Sequence, residues 1–171
     1  MSMRSPIAPV MLDSVDVVSS ESTVLPDLPE NPGLGLSVDF DNDGLDRTYD
    51  EEWEVYEMDV PLTVECKLTD EKDREDVSAR FKVTVVASLS VSESLFDGID
   101  EGDRGDMAFD YLRMNGVSMA YGHARAFIMA VSAMSPTGRV TIPPVLPGEL
   151  IEAASGDTDS KRVDNGISLR G

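Results

Sequence analysis

The sequence predicts an α+β protein: a four-stranded antiparallel sheet followed by a short helix, one long helix and a short C-terminal helix. Three observations carry this. Tyr56 to Leu68 and Ala79 to Val91 alternate apolar and polar residues with the period of a half-buried strand. The short charged link Asp70 to Asp76 between them makes the two runs an antiparallel pair, apolar on one face and wet on the other. Beyond them Gly116 to Ser135, GVSMAYGHARAFIMAVSAMS, reads as a helix with almost no polar side.

Residues 1–9 are expected to be a loose leader, residues 10–154 one domain, and residues 155–171 a disordered polar tail. Val10 to Val24 is β-prone. Thr23 to Gly33 follows, and its three prolines bar a regular helix or a central strand, so it reads as an extended crossover carrying Leu25 and Leu28. Leu34, Leu36, Val38 and Phe40 alternate with small or polar residues as a second strand that ends at the turn signal Asp41-Asn42-Asp43-Gly44. Pro61 lies inside the next strand, has no amide to donate, and points to an edge or a bulge there. Asp97 to Asp106 reads as a mobile loop, and Met107 to Asn115 as a short helix closed by Asn115-Gly116. The long helix stops before Ser135-Pro136. Thr141 to Pro147 is an apolar link, and Gly148 to Ala154 forms a short amphipathic helix through Leu150 and Ile151.

A helix that is apolar nearly all round must be covered all round. His123 and Arg125 stand in its middle, where a charge would be costly in a bilayer. A single sheet covers one flank, so the other flank is expected to meet a second subunit.

With 33 acidic residues against 14 basic ones, the net charge of -19 repels phosphate backbones and anionic membrane surfaces and favours basic protein surfaces. Nucleic acid and membrane insertion are therefore not expected. The lone cysteine, Cys66, falls on the apolar register of a strand and reads as a buried, inert thiol. The N-terminal stretch has no signal-peptide pattern, which points to the cytoplasm.

Asp39, Asp41, Asp43, Gly44 and Asp50 have the spacing of a calcium loop. Against calcium, the eighth position is Asp46, the twelfth is Asp rather than the longer Glu, and Pro32 and Gly33 prevent a helix before the loop. Aspartates at a strand-to-strand turn account for the same letters. One histidine, inside an apolar helix, and one cysteine leave little with which to build a nucleophilic triad or a zinc site. The chain is read as a non-enzyme that needs no metal or cofactor. Met107, Met114, Met119, Met129 and Met134 fall within one short region and suit a surface that accepts varied shapes.

The order of elements resembles the SecB family of export chaperones: four β-prone stretches with a Pro-rich crossover after the first, a short helix, a long helix, a Pro-Val link and a second helix. Tyr121 to Met134, YGHARAFIMAVSAM, is similar to that family's long-helix signature at Tyr121, Ala124 and Arg125, and departs from it at Gly122, His123 and Ala126. Pro143-Pro144-Val145 resembles the apolar link after that helix, and Val77 to Leu89 the family's third or fourth strand, the fourth when all four are taken in order. The resemblance implies an ATP-independent holdase for unfolded or pre-export polypeptides. It implies a homotetramer, built as a dimer of dimers whose long helices meet at an interface placed here on Met119, Tyr121, Ala124, Arg125, Ile128 and Val131. The client groove would be lined by Leu25, Leu28, Val145, Leu146, Leu150 and Ile151. The family's partners are unfolded clients and a SecA motor, or in some relatives the antitoxin of a toxin-antitoxin pair. The crossover here carries leucines where the family usually has an aromatic, so a structural or adaptor module with one dedicated partner is the other expectation.

Overall fold

The computed structural model describes residues 10–29, 32–42, 44–70 and 77–155. The expected leader, the tail beyond Ser155 and link residues 71–76 lie outside these residues, as does Asp43, and Ser155 itself ends the second helix. Within them the chain forms β1 (Met11–Val24), β2 (Pro32–Asp39), β3 (Asp46–Asp50), β4 (Val55–Asp70) and β5 (Val77–Ser92). A 3₁₀ turn (Glu93–Phe96) and the helices α1 (Glu101–Ala133) and α2 (Pro147–Ser155) follow. The sheet is antiparallel with the order β1-β5-β4-β2, and β3 also pairs with β4.

The sheet thus has five strands rather than four. The added one, β3, is Asp-Arg-Thr-Tyr-Asp, too short and too polar to show an alternation. It lies on the same side of β4 as β2, each covering part of that strand. β2 pairs with Thr63 to Asp70 and β3 with Val55 to Asp59, leaving Val60 to Leu62 without a strand partner on that side among the described residues. The gap is centred on Pro61, the residue of β4 that has no N–H to offer. Pro32 and Gly33 belong to β2 and not to the crossover, which lies between Val24 and Pro32.

Every second side chain of β4 from Tyr56 to Leu68, and of β5 from Ala79 to Val91, is buried, so the two alternating runs place one apolar face under α1. α1 answers with Ala108, Leu112, Val117, Ala120, Tyr121, Ala124 and Ile128. Cys66 lies in this core at 0% exposure, and burial together with the nearby Glu65 charge pushes its thiol up to about 12. On the wet face Glu65 receives the Arg80 guanidinium and sits 3.4 Å from the Lys67 ammonium.

The short helix and the long helix of the sequence reading are one helix, 33 residues and about 50 Å long. Two local signals mislead. Asn115 is not a terminator: its Nδ2 donates to the Tyr111 carbonyl one turn back, at 2.8 Å. Gly116 is not a C-cap but the point of closest approach to the sheet, where a Cβ would overlap the Cγ2 of Val60. The expected loop Asp97 to Asp106 is largely the start of α1. Its acids Glu101 and Asp103 lie in the first turn, where the helix dipole favours negative charge.

Candidate binding surfaces around the long helix

α1 ends at Ala133, and the chain reverses through Gly138, whose φ of +66° suits a residue without a side chain. The returning link is then fastened to α1 at three places. The buried Ser132 hydroxyl oxygen accepts from Val140 N at 2.9 Å, Arg125 Nε donates to Ile142 O at 2.6 Å, and Tyr121 Oη donates to Pro143 O at 2.7 Å. Burial of the Tyr121 ring pushes its phenol up to about 12, so it stays a donor. These bonds draw the link antiparallel along α1 and bring α2 back against that helix, where Leu150 and Ile151 enter the core.

The groove residues expected from the sequence therefore fall into different environments. Leu25 and Leu146 are open to solvent, at 43% and 66%, while Leu28 and Val145 are half-buried against the core. Leu150 and Ile151 are buried inside the protomer and present no free surface while α2 is docked. Leu25 N bonds to Ser78 O at 2.8 Å, extending the β1–β5 ladder one residue into the crossover.

The interface residues divide in the same way. Tyr121, Ala124 and Ile128 are buried on α1's inner face against the protomer's own sheet, so they are taken up before any second copy arrives. Met119, Arg125 and Val131 are half-buried on its flanks. The open face is carried by residues the sequence reading did not assign: Gly122, His123, Ala126, Ala130, Ala133 and Met134 are exposed, and Met129 is half-buried beside them. Gly122, Ala126 and Ala130 recur at every fourth position, the spacing of one helix face, and that spacing of small residues was the signal available. A cleft of about 470 Å³ lies here, lined by Gly122, Arg125, Ala126, Met129, Ala130, Ala133 and Arg139.

At the acidic end of the sheet two aspartates of the calcium-like spacing, Asp41 and Asp50, serve the backbone. Asp41 accepts from Gly44 N at 3.1 Å, and Asp50 Oδ1 accepts from Glu52 N at 2.9 Å and Trp53 N at 3.0 Å. Among the described residues no group of three or more His, Cys, Asp or Glu side chains is placed to hold a metal. Tyr49 Oη donates to Glu93, whose other oxygen takes Arg104 at 3.1 Å. The bond to Glu93 pushes the Tyr49 phenol up to about 12, and the same bond with that of Arg104 holds Glu93 below the usual carboxylate range. Tyr56 is raised by burial beneath the rings of Tyr49, Phe96 and Phe109.

Among the described residues no helix is long and apolar enough to cross a membrane. No protein-family model matches the sequence, and no curated protein matches it. The architecture is similar to that of the SecB-like chaperone Rv1957 of Mycobacterium tuberculosis, solved in complex with a ChAD peptide from the Rv1956 HigA1 antitoxin. That likeness has a TM-score of 0.53 at 12% identity and covers 81% of this chain and 91% of the other. With one long helix across an antiparallel sheet, a crossover after the first strand and a link that folds a second helix back, this chain has the SecB-like fold.

Proposed function

We propose that the protein is an ATP-independent chaperone that holds a polypeptide client in a non-native state, working as a homo-oligomer joined along the open face of α1. The observation that carries this reading is the SecB-like fold combined with an outer helix face of Gly122, Ala126, Met129, Ala130 and Met134, apolar surface that the protomer's own sheet leaves uncovered. Small residues at four-residue spacing let a second helix approach closely.

The client surface in this reading starts from Leu25 and Leu146, already open, and enlarges if α2 lifts Leu150 and Ile151 out of the core. The antitoxin peptide carried by the structural neighbour supports a dedicated client of that kind. Unfolded export clients and hand-off to a SecA-type motor in the cytoplasm are the wider version of the same reading. No catalytic step belongs to it.

Light scattering from an aggregating denatured client, without nucleotide, tests holding. The chain is expected to suppress the signal in proportion to its concentration, and Leu25→Asp with Leu146→Asp to lose most of that effect. No suppression at molar excess would refute general holding. Sedimentation tests assembly: Ala130→Glu places a carboxylate on the open face and is expected to yield a folded protomer. The leucine-only crossover favours the second reading, an adaptor with one partner, and capture of several unrelated denatured proteins would remove that alternative.

A further inference from the structure

From Tyr111 to Gly148 the chain has no acidic residue, although 33 are present in all. The stretch takes in α1 from Tyr111 onward, the reversal at Gly138 and the returning link, and its basic residues are Arg113, His123, Arg125 and Arg139. In so acidic a chain a cation ordinarily finds a carboxylate nearby. Lys67, Arg80, Arg104 and Arg113 each sit on one, Lys82 stands in register with Glu21 and Glu65, and Arg47 lies over the Phe109 ring. Arg125 and Arg139 have no carboxylate within ion-pair distance among the described residues. Both line the cleft of about 470 Å³ on the open face of α1.

Arg125 is half-buried and fixed through Nε, which donates to Ile142 O at 2.6 Å, so both terminal amino groups stay available to a further acceptor. Arg139 is exposed and follows directly on the reversal. The rest of the lining is small or apolar, with Gly122, Ala126 and Ala130 admitting a chain close to the helix and Met129 able to adapt to its shape. Guanidinium groups match a carboxylate in geometry and charge. Beside an apolar floor they favour a carboxylate that has an apolar group next to it. The cleft is open to solvent, which suits a segment of chain laid across the helix and not an enclosed small molecule.

We propose that this cleft binds an acidic, apolar segment of a partner polypeptide, its carboxylate against Arg125 and Arg139 and its neighbouring apolar side chain over Ala126, Met129 and Ala130. The site works against the molecule's overall field. A net charge of -19 repels an acidic peptide, so a preference for acid has to come from a local arrangement. The carbonyl end of α1 also disfavours an anion, which is why both arginines are needed. The site does not rest on the client-holding reading. It shares the open face of α1, so its occupant and a second copy exclude each other there.

A fluorescently labelled peptide alternating aspartate and leucine is titrated with the full chain and followed by anisotropy, beside a twin with asparagine at every aspartate. Saturable binding of the aspartate peptide, tighter than that of its twin, is the expected result. Arg139 carries the variants, since Arg125→Gln would also release the Ile142 carbonyl. Arg139→Gln is expected to weaken binding about fivefold. Arg139→Glu adds repulsion of similar size and weakens it about twentyfold. Lys82→Gln removes the same charge from the wet face of the sheet and leaves binding near the parent value. Melting confirms that each variant folds. An asparagine twin that binds as tightly would overturn the proposal in favour of apolar capture without charge selection, and equal loss in Arg139→Gln and Lys82→Gln in favour of a diffuse field. Sedimentation of the same mixtures keeps assembly separate. Bound peptide that lowers the mass supports both the cleft and joining along this face, while bound peptide at unchanged mass supports the cleft and counts against that joining. No binding at dilutions where dimers persist would overturn the proposal in favour of a second copy as the occupant.

Discussion

Gly116 of α1 rests directly on Val60 of β4: a Cβ at position 116 would overlap the valine Cγ2 and lie 3.0 Å from the Leu89 Cδ1. Val60 is at 0% exposure and has nowhere to move. The glycine sets how closely the long helix lies on the sheet, and every inward residue of α1 inherits its depth from that contact.

Gly116→Ala is therefore expected to destabilise the protomer. Overpacking costs about 1–3 kcal/mol, against about 1 kcal/mol gained in helix propensity, and the immobile valine puts the cost in the upper part of its range. Gly122→Ala meets nothing within 4 Å and should stabilise the protomer by about 0.5–1 kcal/mol. Chemical denaturation of the two variants checks the opposite signs. If the open face carries a second helix, Gly122→Ala also weakens assembly while it raises protomer stability.

Ser132→Ala should cost about 1–3 kcal/mol, because it leaves the buried Val140 amide without its acceptor. Its Oγ also donates to Met129 O at 3.2 Å, a bond whose loss matters less because that carbonyl sits in the helix. Amide exchange at Val140, and then along the link toward Pro143, is expected to accelerate ahead of exchange in β4 and β5.

Glu65 gives a pH signature. Burial alone would raise its carboxyl, but the Arg80 hydrogen bond and the charges of Lys67 and Arg80 outweigh burial and hold it below the ordinary range. A depressed folded-state value stabilises fully above the unfolded-state value of about 4.3, and the contribution is lost as pH falls through the folded value. The difference in melting temperature between the parent and Glu65→Gln is therefore expected at neutral pH and should begin to shrink only as pH falls below the unfolded-state value of about 4.3.

The legibility of this chain followed the strength of its periodic signals. β4 and β5 could be read residue by residue, since Tyr56 to Leu68 and Ala79 to Val91 each commit one face to the core. The length of α1 could not, because Asn115-Gly116 has the composition of a helix end, and only the tertiary contact with Val60 explains the glycine. β3 was hidden because its pairing with β4 buries almost none of its side chains. The surfaces of α1 were harder still. An apolar residue at nearly every position from Val117 to Met134 leaves no contrast by which to tell the sheet side from the open side. Tyr121, Ala124 and Ile128, read as interface residues, are buried within the protomer, and the Gly122, Ala126, Ala130 row was the local clue to the exposed side.

The break at Pro61 has a consequence for the molecule's own solubility. One rim of the sheet is divided into an eight-residue piece and a five-residue piece, with an interruption no hydrogen-bond ladder can cross. A stray strand that zips onto either piece runs out of template within a few residues. A fibril-like stack would have to start afresh on the far side of the proline, so this border resists recruiting neighbours into a growing sheet.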